Sequence, residues 1–101
     1  MARKIKAVFS KKGDMRFISH LDLLRLFQRA LRRADLPVTI TKGFSPHIKM
    51  SIKKAMKLGV ESAHEEVVFY MDRDVRPGDF VESINDKLPL GVRVNDAEDI
   101  S

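Results

Sequence analysis

Near the start of the chain Ile5, Ala7 and Phe9 alternate with Lys4, Lys6 and Val8. A period of two sends successive side chains to opposite faces, so this stretch predicts a half-buried β-strand. Residues 10–14, Ser-Lys-Lys-Gly-Asp, read as a turn, and residues 15–18 as a short extended run into a helix. There the period changes. Leu23, Leu26, Phe27, Ala30, Leu31 and Ala34 fall at helical spacing and form one apolar stripe. Ser19 with Asp22 three residues on resembles a capping box, Asp standing in for the usual Glu or Gln. Asp22 also sets a negative charge against the positive end of the helix dipole. Leu36-Pro37 ends the helix, because proline disfavours helical backbone in the residue before it.

Val38-Thr39-Ile40-Thr41 alternates and is rich in β-branched residues, as strands are. Residues 42–46 form a loop, after which Ile48, Met50 and Ile52 alternate with Lys49, Ser51 and Lys53. This pattern fits either one hairpin or a strand with an irregular extension. Gly59 breaks the chain before a further strand at residues 65–71. Pro77 suits the first turn of a second helix that buries Phe80, Val81, Ile84 and Leu88. Arg76, just before it, is a weaker cap than an aspartate. Pro89-Leu90-Gly91 then turns the chain into a short last strand at residues 92–94. The order is strand, helix, strand or hairpin, strand, helix, strand. That predicts the α+β class and a ferredoxin-like split β-α-β sandwich, an antiparallel sheet with both helices on one face. The other face is left open, where such domains often carry function. The fold hosts many unrelated activities and licenses none by itself.

Composition narrows the classes. The 101 residues are 44% hydrophobic, with no linker, repeat or low-complexity tract, so residues 1–101 are expected to form one domain. The absence of cysteine excludes a disulfide framework, a thiolate metal site, an iron–sulfur cluster and a cysteine nucleophile. The first ten residues lack a signal-peptide apolar region and no run approaches a membrane span, so a cytoplasmic protein without membrane contact is expected. The net charge of +5 conceals an asymmetry. Residues 1–60 hold fifteen Lys and Arg against three acids, and residues 61–101 hold four against eleven. A basic first half predicts an anionic partner, and the acidic stretch at residues 61–74 is a natural surface for docking a basic protein.

Within the basic half, Arg25, Arg29, Arg32 and Arg33 project onto roughly a 100° arc opposite the apolar stripe. Guanidinium groups are permanently charged, bidentate phosphate ligands, although such a row is also what an ordinary solvated helix face looks like. The loop Lys42-Gly43-Phe44-Ser45-Pro46-His47-Ile48-Lys49 combines cations, a flexible backbone and a ring able to stack on a base. Phe44 can equally cap the core beneath a Gly-Pro turn. Lys53, Lys54 and Lys57 extend the positive run. Arg16 and His20 flank the start of the first helix, where His20 can donate to a phosphate or transfer a proton. His20, His47 and His64 lack metal-ligand spacing. There is no P-loop, dinucleotide fingerprint or G-x-S-x-G elbow, and no metal or cofactor is expected.

The segments Lys12-Gly13-Asp14-Met15-Arg16-Phe17-Ile18-Ser19-His20-Leu21-Asp22, Arg29-Ala30-Leu31-Arg32-Arg33-Ala34, Lys42-Gly43-Phe44-Ser45-Pro46-His47-Ile48-Lys49-Met50-Ser51 and Leu58-Gly59-Val60-Glu61-Ser62 resemble an uncharacterised bacterial family, the radical SAM-linked domain of unknown function. Its members occur fused to radical SAM proteins or are encoded beside them, often near genes for ribosomal proteins and a ribonuclease. Members are usually longer, which makes this chain a short member or an amino-terminal part of one. The resemblance implies a companion module, with a radical SAM protein as partner and RNA or the ribosome as substrate. The radical chemistry then belongs to the partner, which supplies the three cysteines this chain lacks. The leading expectation is a non-catalytic RNA-binding domain carried by Arg16, His20, Arg25, Arg29, Arg32, Lys42, Phe44, His47 and Lys49. The alternatives are a docking module for the radical SAM enzyme and a metal-independent ribonuclease using His20 or His47 as acid or base.

Overall fold

The structure, a computed structural model, describes residues 3–52 and 58–101. Lys53, Lys54 and Lys57, which extend the basic run in the sequence, lie outside the described residues. In chain order the elements are β1 (Arg3–Lys11), a 3-10 turn (Gly13–Phe17), α1 (His20–Arg33), β2 (Met50–Ile52), β3 (Ser62–Met71), α2 (Pro77–Asn85) and β4 (Val92–Asp99). The strands form one sheet in the order β2-β3-β1-β4, and every pairing is antiparallel. This is the arrangement of the split β-α-β sandwich, in which the first and third strands lie at the centre.

The period-two pattern of β1 does what it predicts. Ile5, Ala7 and Phe9 are buried, and so are Val67, Phe69 and Met71 of β3 and Val92 and Val94 of β4. These side chains meet Leu23, Leu26, Phe27, Ala30 and Leu31 of α1 and Phe80 and Ile84 of α2 in a single apolar cluster. Both helices therefore cover the same face. A run of aromatic contacts crosses this core: Phe27 meets Phe9 edge-on at 5.0 Å and Phe69 at 5.6 Å, and Phe69 meets Phe80 at 5.4 Å.

The helix ends follow their residues. The Ser19 side chain accepts the Asp22 backbone N–H at 3.1 Å, so the serine half of the capping box is in place. Asp22 instead turns its carboxylate toward Arg25, 3.6 Å away. At the other end Asp35 takes a left-handed conformation with φ of 55°, and Leu36-Pro37 leads the chain away. Arg76 makes no side-chain cap to α2, in keeping with its residue type, and Pro77 occupies the first turn. The far end of α2 is clamped by Asn85, whose amide donates to the Val94 carbonyl and accepts the Val94 N–H, both at 2.8 Å.

Several segments differ from the sequence expectation. α2 ends at Asn85, so Leu88 packs on the core from beyond the helix and, like Val81, is only partly buried, and β3 begins at Ser62 instead of Glu65. Residues 15–17, expected to be extended, belong instead to a 3-10 turn with Gly13 and Asp14, with the Met15 N–H bonded to the Lys12 carbonyl and the Ile18 N–H to the Met15 carbonyl. Residues 38–50 make only two isolated bridges, Val38 to Met71 and Ile40 to Ile48, before the three-residue β2, which settles the region as an irregular hairpin. The last strand runs on to Asp99, because residues 96–99 pair along β1 past an irregularity at Asn95, despite their polar composition.

Candidate nucleic-acid interface

The topology sorts the basic residues into two ends. β1 runs from Arg3, opposite Met71, to Lys11, which faces Ser62 on one side and Val92 on the other. The 3-10 turn follows Lys11, so Arg16 and His20 belong to the Lys11 end. α1 then returns along the sheet for 14 residues, about 21 Å of rise, to the end where Val38 bridges Met71. Arg32, Lys42, Phe44, His47 and Lys49 therefore cluster by chain path at the Met71 end, with Arg29 one turn short of it and Arg25 toward the other end.

On α1 the arginine row is as the spacing predicts: Arg25, Arg29, Arg32 and Arg33 are all exposed. Arg25 lies near Asp22, while Arg29, Arg32 and Arg33 form no ion pair among the described residues. In the hairpin, Phe44 is fully exposed at 110% of its reference area, so it does not cap the core. His47 is fixed by its neighbours, its backbone N–H donating to Thr41 Oγ1 at 3.1 Å and its Nδ1 lying 2.9 Å from the Ser45 carbonyl. Lys49 stands apart, with its ammonium 4.4 Å from the centre of the Tyr70 ring. Tyr70 alternates with the buried Phe69 and Met71 and so belongs to the open face, opposite the helices.

At the Lys11 end, the Arg16 guanidinium covers the Phe17 ring at 4.4 Å and donates to the Gly13 carbonyl at 2.9 Å. His20 Nδ1 is buried without a hydrogen-bond partner among the described residues. The separation of His20 from His47 by the length of α1 leaves them no shared reaction centre. Lys11, which the sequence places in a turn, is 1% exposed, and its ammonium donates to the Arg16 carbonyl at 3.3 Å.

The charge asymmetry of the sequence does not become two separate surfaces. β1 belongs to the basic half, yet it sits between β3 and β4 of the acidic half. Lys6 meets Glu98 at 2.9 Å, and this hydrogen bond, with further attraction from Glu98 and Glu66, raises the lysine above its ordinary pKa. In residues 61–74, Glu61 accepts the Gly13 N–H, Glu65 the Ser62 hydroxyl and Asp72 the Thr39 hydroxyl, while Asp74 pairs with Arg3. At the carboxyl end the Ser101 backbone and hydroxyl hold Asp99 below its ordinary pKa. On α1 and beside the hairpin, Arg29, Arg32, Arg33, Lys42 and Lys49 form no ion pair among the described residues.

Two depressions, of about 690 and 620 Å³, lie between α2 and β4 and beside the Gly13 and Gly91 turns. Neither is lined by any of the nine candidate residues. Among the described residues no group of three His, Asp or Glu is placed to hold a metal ion, and no helix is long and apolar enough to cross a membrane.

The model of a family described as an uncharacterized protein conserved in bacteria (DUF2344) matches residues 4–101. The chain belongs to this family. No curated protein matches it. The DUF2344 match takes in all seven elements almost from end to end, so the arginine row, the hairpin and the open sheet face all lie within the family's span. The family description names no activity, and the surface itself has to carry the functional argument. The surroundings of Tyr70 are not legible in the sequence, because its neighbours Lys4 and Lys49 come from distant segments; its alternation with Phe69 and Met71 is the one available signal.

Proposed function

We propose that this chain is a non-catalytic accessory domain that binds single-stranded RNA through its Met71 end. The observation that carries this reading is the conjunction there of exposed arginines that form no ion pair among the described residues and a fully exposed aromatic ring, Phe44, beside Lys42 in the chain. Folding gains nothing from leaving a phenylalanine in water, whereas base stacking on such a ring is worth about 1–3 kcal/mol. Arg29, Arg32, Arg33 and Lys42 are suited to the phosphates, which position a strand without reading its sequence. Arg16, His20 and Arg25, toward the Lys11 end, are reached only by a strand that runs along α1.

Neutralising about four phosphates of a single strand gives a salt slope near −3, or ~50-fold weaker binding between 50 and 200 mM salt. Titration of a fluorescent oligouridylate across that range measures it, and a slope near zero would falsify the RNA reading. RNA that stays intact in EDTA with the wild-type protein is the companion result expected of a non-catalytic domain.

A second reading, docking on a radical SAM protein, has its own support. Phe17, Leu21, Leu58 and Val60 are all at least half exposed, and the Gly59 N–H donates to the Arg16 carbonyl at 2.6 Å, which holds residues 58–60 beside Phe17 at the Lys11 end. An apolar group of this kind is typical of a protein contact. It lies away from the Met71 end, so the two roles are compatible. The radical chemistry is the partner's, for want of cysteine in this chain.

A further inference from the structure

We propose that Tyr70, on the open face of the sheet, is the seat on which one RNA base stacks, with Lys4 and Lys49 binding the phosphates on either side. This rests on the RNA reading and names a position within it. The three residues come from three neighbouring strand segments. Lys4 of β1 lies directly opposite Tyr70 of β3, and on the other side the Tyr70 N–H donates to the Lys49 carbonyl at 3.2 Å. The Lys4 ammonium lies 5.6 Å and the Lys49 ammonium 4.4 Å from the ring centre. The two charges are therefore within about 10 Å of each other, with an aromatic ring between them.

Neither lysine forms an ion pair among the described residues, and this sets the place apart from the rest of the open face. Lys6, two residues along β1, is neutralised by Glu98. Asp72, two residues beyond Tyr70, takes the Thr39 hydroxyl at 2.8 Å, and Arg3 is paired with Asp74. Two like charges held beside one ring repel each other, and a bound anion relieves that repulsion. The ring offers a base its π-face, and the ammoniums are free to move from the ring to phosphate oxygens as the base arrives. A single strand fits where a duplex does not, because paired and stacked bases have no face to offer. From Tyr70 the same strand continues past the hairpin with Lys42 and Phe44 to the end of α1.

The chain contains one tyrosine and no tryptophan, so its intrinsic emission reports on Tyr70 alone. Decauridylate is expected to quench that emission in proportion to binding, and inorganic polyphosphate, which carries charge without bases, is not. Tyr70→Phe retains affinity for labelled decauridylate, while Tyr70→Leu weakens it roughly 5- to 150-fold at an unchanged melting temperature. Replacing both Lys4 and Lys49 by Gln flattens the salt slope by about 1.4. Decauridylate bound with unchanged tyrosine emission and full affinity in Tyr70→Leu overturns the seat and leaves the RNA reading standing. Equal quenching by polyphosphate also overturns it, pointing to a plain anion site. Absence of any decauridylate binding overturns both.

Discussion

Gly91 shows how far a single residue determines the Lys11 end. Its φ is +98°, a conformation L residues rarely adopt, and a Cβ there would lie 2.7 Å from the Lys12 carbonyl oxygen and 2.8 Å from Met15 Cγ. The Lys12 N–H donates to the Gly91 carbonyl at 2.8 Å, so the two turns are locked together and neither can retreat. Gly91→Ala should therefore destabilise by about 1–3 kcal/mol, from backbone strain together with the clash. For a domain of this size that is a drop of at least ~4 °C in melting temperature. A variant that melts with the wild type would show the turn to be soft. Gly13, with φ of +60° but open space around it, shares only the conformational part of this cost.

At the scale of elements, periodicity was a sufficient guide wherever burial alone decides. β1, α1, the core of β3 and α2 all follow their apolar spacing, because each buries one face against the same cluster. Spacing failed where partners decide. Residues 95–99, Asn-Asp-Ala-Glu-Asp, look like a loop, yet they form a strand because β1 offers an edge and Lys6 a charge to Glu98. Residues 38–41 look like a strand, yet the turn after α1 lets them make only isolated bridges. The 3-10 turn has no periodic signature, and it is the element that brings Phe17 beside Gly59. The docking prediction belongs here. If Phe17 and Leu58 face a protein partner, Phe17→Ser with Leu58→Ser should abolish nuclease-resistant copurification with the radical SAM protein of the same organism. RNA affinity at the Met71 end should hold within about two-fold, because the altered side chains stand at the other end of α1. Retention of the partner by the double variant would sink the docking reading.

Across the whole molecule, the nine residues read from the sequence as one basic surface are distributed by the fold over two ends and two faces. Helical spacing made the arginine row legible, since a 100° projection needs only the local chain. It could not show that Arg16 and Arg32 stand at opposite ends of a helix about 21 Å long, or that Lys6 of β1 is met by Glu98 of β4, because both facts depend on how the chain returns along the sheet. Strand length therefore separates the two ends in solution. Stacked nucleotides advance ~3.4 Å each, so a trinucleotide held at the Met71 end cannot also reach Arg16, whereas a strand of twelve spans the helix. Arg16→Gln should leave trinucleotide affinity unchanged and weaken binding of the twelve-mer several-fold at low salt, while Arg32→Gln should weaken both. The measurement is a pair of anisotropy titrations for each variant. Loss of trinucleotide binding on Arg16→Gln alone would move the binding surface to the Lys11 end, where the buried His20 Nδ1 has no hydrogen-bond partner among the described residues.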